Sequence, residues 1–205
     1  MSNFRNDQNG DGVPEAQALG ANQIAFVLSP KGGRQTGIIM EQGSTFNVVH
    51  GNEVRNWKRN GIEVLGHSND NDILRNSIHD VMGIGVQVFA SVRTDILENH
   101  LFDLGNEESP APAVGVFLWS TADANPARGQ NVLQRNLLED IWGYGIGLYR
   151  SSEETIGGTQ PGQGNTLRRM VMGALLYESG RNLVAGNNFS QIGGSEESPG
   201  VAIYL

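Results

Sequence analysis

The sequence predicts an all-β solenoid, a chain wound into about seven stacked coils, on three observations. A Gly-apolar-x-apolar pattern recurs seven times, an Asn flanked by apolar residues recurs between its copies, and the apolar residues of both alternate with a period of two. Period two is the signature of strands. Repeats of this length cannot bury an apolar face alone, so they must stack. Composition agrees, since Gly is 28 of 205 residues, nearly twice its usual ~7% share. Each Gly inside a helix would cost about 1 kcal/mol, which argues against a long helical bundle.

The glycine pattern reads Gly37-Ile-Ile-Met, Gly61-Ile-Glu-Val, Gly85-Val-Gln-Val, Gly115-Val-Phe-Leu, Gly145-Ile-Gly-Leu, Gly173-Ala-Leu-Leu and Gly200-Val-Ala-Ile. Successive starts are 24, 24, 30, 30, 28 and 27 residues apart. The second pattern places an apolar residue three before an Asn, another two after it, and a polar turn-former four after it. It runs Val49/Asn52/Val54/Asn56, Ile73/Asn76/Ile78/Asp80, Ile96/Asn99/Leu101/Asp103, Leu133/Asn136/Leu138/Asp140 and, less strictly, Val184/Asn187/Phe189/Gln191. The coil between the last two has Met170 where Asn is expected, which predicts a shorter or distorted turn there. The Asn column is expected to form a ladder between coils about 4.8 Å apart, because Asn tolerates left-handed turns and its amide can bond the Asn above and below. The polar column four residues later is expected to end strands, with aligned metal-binding carboxylates as the alternative.

Residues 72–80, Asp-Ile-Leu-Arg-Asn-Ser-Ile-His-Asp, followed by Gly83-Ile-Gly-Val-Gln-Val, resemble the right-handed parallel β-helix repeat of pectate-lyase-like and NosD-like proteins. The resemblance covers roughly residues 21–205 and implies one β-helix domain there; residues 1–20 read separately as an acidic, flexible N-terminal segment. It also implies an extracellular or periplasmic setting and polysaccharide chemistry of the lyase, hydrolase or epimerase kind. The expected fold class is therefore a right-handed parallel β-helix with an Asn ladder.

In such a helix the pairs Ile62/Val64, Val86/Val88, Val116/Leu118 and Ile146/Leu148 point inward. Two columns then face outward. One is Ile39, Glu63, Gln87, Phe117, Gly147, Leu175 and Ala202; the other is Glu41, Leu65, Phe89, Trp119, Tyr149, Tyr177 and Tyr204. The second places five aromatics, Phe89 to Tyr204, in one stripe. Three readings are open for it: a platform for sugar rings, a surface covered by the turns at 120–130 and 150–164, and an oligomer contact.

Glu41 and Glu63 fall in adjacent coils and offset columns, about 7–8 Å apart as diagonal neighbours, within the separation used by inverting glycosidases. The turn Arg55-Asn-Trp-Lys58-Arg59 leads into the Glu63 strand. Arg55 and Arg59 are candidates to receive uronic-acid carboxylates, and Lys58 is a candidate base if its pKa is lowered. Against this stands the reading of all these groups as solvated edge charges.

Asp7, Asn9 and Asp11 fit the first half of a calcium loop, but Ala18 stands where a bidentate carboxylate is needed. Calcium is the one candidate metal, and the expected chemistry requires no cofactor. The turns at 106–110 and 195–199 repeat Glu-Glu-Ser-Pro and read as duplicated acidic loops. Gly143, Gly145 and Gly147 lack the helix of a dinucleotide fingerprint. The four His residues fall in different columns without ligand pairing, and Asn188-Phe-Ser190 is a formal glycosylation acceptor. A net charge of −8 argues against nucleic acid as partner. No apolar run approaches a membrane span, no leader pattern opens the chain, and zero Cys excludes disulfides and thiolate chemistry. The chain stops within a strand copy without a cap, so its partners are expected to be polysaccharide and either a second copy or further coils of a longer chain. The leading expectation is a carbohydrate-engaging β-helix, with lyase or glycosidase turnover at Glu41, Glu63 and Lys58 or, alternatively, a non-catalytic self-associating module.

Overall fold

A computed structural model describes residues 16–18, 24–26, 36–109, 111–119, 130–193 and 200–205. Ala16–Ala18 and Ile24–Phe26 form an antiparallel pair. From Thr36 onward every described strand pairs in parallel with its equivalent in the next coil, and the described residues contain no helix. The wall has three faces.

The short face stacks Val48–His50, Asp72–Leu74, Asp95–Leu97, Val132–Gln134, Thr155–Gly157 and Leu183–Ala185. The bulged face stacks Glu53–Trp57, Ser77–Val81, His100–Leu104, the first parts of Leu137–Tyr149 and Thr166–Tyr177, and Asn188–Ile192. The glycine face stacks Thr36–Met40, Asn60–Leu65, Ile84–Phe89, Ala113–Trp119, the second parts of the two long strands, and Val201–Tyr204. Six of its seven strands carry a glycine copy of the sequence pattern, and Gly200 precedes the seventh.

The core is made of vertical columns. Ile62, Val64, Val86, Val88, Val116, Leu118, Ile146 and Leu148 are all buried, as their alternation requires. Ile73, Ile96, Leu133 and Ile156 fill the short face, and Val54, Ile78, Leu101, Leu138 and Leu167 the bulged face. Burying each such side chain contributes roughly 1.5–3 kcal/mol. The glycine column has a steric cause. A Cβ on Gly61, Gly85, Gly115 or Gly145 would lie 2.5–2.7 Å from the carbonyl oxygen of the glycine one coil on, so no side chain fits between these strands.

The Asn ladder runs through Asn52, Asn76, Asn99, Asn136, Asn165 and Asn187. Each donates Nδ2 to the next Oδ1 at 2.9–3.0 Å. Met170 does not interrupt it: Met170 belongs to the core column of Trp57, Val81, Leu104 and Ile141, and Asn165 supplies the missing rung. The segment 158–164 lies between the short-face strand and this corner, which puts Gly162 where the pattern has an apolar residue. A second ladder, with no counterpart in the sequence pattern, precedes the short face. There Asn71 accepts from Asn47, Asn131 from the Thr94 amide, Glu154 from the Asn131 amide, and Asn182 from the Glu154 amide.

Many corners turn through left-handed residues. The polar column four after the ladder Asn does so at Asn56, Asp80, Asp103, Asp140 and Gln191, with φ between 50° and 65°. This geometry bends the bulged face. Left-handed residues with long charged side chains stack vertically as ion pairs, Arg75–Glu98–Arg135 at one corner and Asp70–Arg93 at another.

Candidate functional site

The glycine face is where the chain aligns its rings. Leu65, Phe89, Trp119, Tyr149 and Tyr177 are paired in register, coil upon coil. Ring centroids are 4.9 Å apart for Phe89–Trp119, 6.2 Å for Trp119–Tyr149 and 5.6 Å for Tyr149–Tyr177, the last pair nearly coplanar in orientation at 5°. Trp119 is 38% exposed and Tyr177 51%, with Phe89 and Tyr149 half-buried. Serines hold the backbone beneath: Ser91, Ser151 and Ser179 donate to the carbonyls of Phe89, Tyr149 and Tyr177. The Arg150 guanidinium lies 5.1 Å from the Tyr149 ring and donates to Glu178 at 2.7 Å.

Four of the five predicted rings form this stripe. Tyr204 does not, because the last strand is displaced by two residues. Ala202 rather than Gly200 stacks on Gly173, and Tyr204 pairs with Leu175 in the neighbouring column. Of the turns named as covers, 155–157 belongs to the short face and 158–164 lies beyond it toward the ladder, while 120–129 is outside the described residues.

The charged candidates disperse. Glu63 faces away from the core but is only 5% exposed, and its Oε1 accepts from Thr36 Oγ1 at 3.1 Å and Asn60 Nδ2 at 2.5 Å. Asn60 also donates to Gln87 at 2.9 Å. Glu41 follows the Thr36–Met40 strand, half-buried, and its carbonyl accepts from Ser44. Lys58 and Arg59 stand exposed at the corner before Asn60. Arg55 is on the bulged face, paired with Glu53 at 3.4 Å, and so does not join the glycine-face residues. Asp7, Asn9 and Asp11 lie outside the described residues. Among the described residues no group of three His, Asp or Glu could hold a metal.

The bulged face carries a cluster that sequence reasoning missed. His79 stacks on Phe102 at 4.5 Å and 12°, and His100 meets Phe102 at 4.4 Å. His79 Nδ1 lies 2.7 Å from Asp80 and its Nε2 3.2 Å from Glu53. Glu139 receives His100 Nε2 at 2.8 Å, Arg168 Nε at 2.6 Å and Arg169 Nη2 at 2.7 Å. Burial pushes the Glu139 carboxyl up, but the hydrogen bonds from Arg168, His100 and Arg169 outweigh it and hold the group at about 2. The Arg169 hydrogen bond likewise holds Asp140 below the ordinary carboxylate range. Beside the cluster a groove of about 490 Å³ is lined by Asp103, Asn106, Glu107, Asp140, Trp142 and Arg169 among others. A signal existed: counted from the ladder Asn, positions +1 and +3 point outward on this face, and His100, His79, Phe102 and Glu139 all occupy them. In the cluster itself imidazoles and guanidiniums answer Glu53, Asp80, Glu139 and Asp140, so the network stabilises the wall.

The family described as right handed beta helix region matches residues 36–205. Among solved structures, a mutant of the periplasmic alginate epimerase AlgG is 17% identical, over 83% of this chain and 42% of that one, at a TM-score of 0.51. The unmutated AlgG structure is 16% identical, over 83% of this chain and 36% of that one, at a TM-score of 0.34. The chain thus spans less than half the length of these proteins, and the likeness is one of fold. No curated protein matches the sequence. No helix among the described residues is long and apolar enough to cross a membrane.

Proposed function

We propose that this chain, which belongs to the right-handed β-helix family, engages a polysaccharide along the ring stripe of its glycine face. One observation carries the proposal: Phe89, Trp119, Tyr149 and Tyr177 stand in register in four consecutive coils, with centroids 4.9–6.2 Å apart and all partly open to solvent. Aromatic faces present a large, rigid apolar area on which the C–H faces of sugar rings stack, and each Tyr adds a polar tip. A solenoid suits this use, because coil stacking fixes the spacing and serine hydroxyls hold the backbone under the rings. A fold shared with an alginate-acting periplasmic protein supports the same direction, and an extracellular or periplasmic setting goes with it.

The proposal is one of binding. Glu63 is buried and committed to Thr36 and Asn60, while Lys58 stands at the opposite end of the strand from the stripe. The test is the double variant Trp119→Ala/Tyr149→Ala, run by affinity electrophoresis through polysaccharide-loaded gels beside light scattering. Lost retention at unchanged mass supports a sugar platform. A fall in oligomeric mass would instead identify the stripe as a self-association surface and overturn the proposal.

A further inference from the structure

The charges around the stripe narrow what it can take. Among the described residues, Arg55, Arg75, Arg93, Arg135, Arg150, Arg168, Arg169 and Arg181 each have a carboxylate partner. Lys58 and Arg59 are the two basic side chains left without one, and they sit together at the corner before Asn60. The aromatic column occupies the other end of the strand, starting in register with Leu65. Six residues of extended chain separate Arg59 from Leu65, about 20 Å. Trp119 is two further strands away along the axis. Screening in physiological salt acts over about 8 Å, so the free cations do not reach a ligand lying on the rings.

Among the described residues Arg150 is the one guanidinium over the stripe, 5.1 Å from the Tyr149 ring, and Glu178 holds its Nε at 2.7 Å. A ligand carboxylate meeting Arg150 would share a guanidinium whose charge Glu178 already answers, with that second anion beside it. A polyuronate brings a negative charge with every sugar and would meet a chain of net charge −8. Stacking on the rings asks for no charge. From this we infer that the stripe selects an uncharged glycan, its chain running along the solenoid axis over the four rings, rather than a polyuronate. Three coil steps give it a footprint of about 14 Å. The inference rests on the sugar-platform reading and adds the substrate class.

The experiment measures retention on uncharged polysaccharides (a soluble β-glucan, a galactomannan, a xylan) and on two polyuronates (alginate, polygalacturonate), at low and physiological salt. Three proteins are compared: the unaltered chain, Trp119→Ala/Tyr149→Ala, and Glu178→Gln. The expected result is retention on at least one uncharged glycan, insensitive to salt and lost in the double variant, with none on the polyuronates. Glu178→Gln removes the carboxylate partner of Arg150 and is expected to bring weak polyuronate retention into view at low salt while leaving uncharged binding unchanged. Salt-sensitive polyuronate binding by the unaltered chain, lost in the double variant, would overturn the substrate class and leave the platform standing. Retention on no polysaccharide, or a doubled mass that the double variant reduces, would overturn the platform and the inference together.

Discussion

Replacing Glu139 by Gln removes the carboxylate that His100, Arg168 and Arg169 share on the bulged face. A carboxyl held at about 2 instead of its ordinary 4.5 binds protons less readily folded than unfolded. Its contribution to stability is then fully present above about pH 4.5 and is lost as pH falls toward 2. The whole difference corresponds to at most about 3 kcal/mol. Arg168 and Arg169 are 41% and 38% exposed, and solvent screening reduces the expected figure to about 1–2 kcal/mol. The assay is urea unfolding at pH 7, 4 and 2.5, followed by the fluorescence of Trp57, which is 3% exposed. The Gln variant should be weaker by about 1–2 kcal/mol at pH 7, with the deficit shrinking to about a quarter of that at pH 2.5. Comparing the two proteins at each pH cancels the other titrating carboxylates, Asp70 and Asp140 among them, whose values are also lowered. An equal deficit at all three pH values, or none at pH 7, would refute the assignment of this ion cluster as stabilising.

Asn136→Ala removes a rung that donates to Ile96 O at 2.7 Å and Asn165 Oδ1 at 2.9 Å and accepts twice from Asn99. With buried donors of Asn99 left unmatched, the expected loss is about 3 kcal/mol or more; a loss below about 1 kcal/mol in chemical denaturation would mean that the ladder does not hold the corner. Gly115→Ala drives a Cβ to 2.5 Å from Gly145 O and 2.6 Å from Leu138 Cδ2, which should cost about 1–3 kcal/mol. Gly180→Ala, where no atom lies within 4 Å, serves as the control and should stay within about 0.5 kcal/mol. Equal melting temperatures for the two alanine variants would sink the steric explanation of the glycine column.

Most of the wall was legible in the sequence, because stacking converts a repeat along the chain into a column in space. The glycine column, the inward pairs and five of the six ladder asparagines follow from spacing alone. The misses share a cause: a local departure from the period moves a residue without changing its type. Asn165 escaped the pattern because residues 158–164 separate it from its short-face strand. Tyr204 fell out of the stripe because Gly200 does not occupy the column of Gly173, and Ala202 does. The second ladder was invisible for another reason, since its rungs are filled by Asn, Thr and Glu in turn and backbone amides supply several of the donors. For the site, spacing placed the rings on one face but could not give the burial of Glu63 at 5% or the neutralisation of the arginines. Both depend on contacts between coils.

The six ladder asparagines are separated by 24, 23, 37, 29 and 22 residues, yet the amide-to-amide bonds differ by only 0.1 Å. Pitch is therefore governed at the corners and is independent of contour length. Surplus chain can bow out between two corners and rejoin the wall in phase, so excursions can grow or shrink without disturbing the turns above and below. An architecture of this kind separates the part that must be conserved in geometry from the part free to vary in content, and new surface can be added to it one excursion at a time.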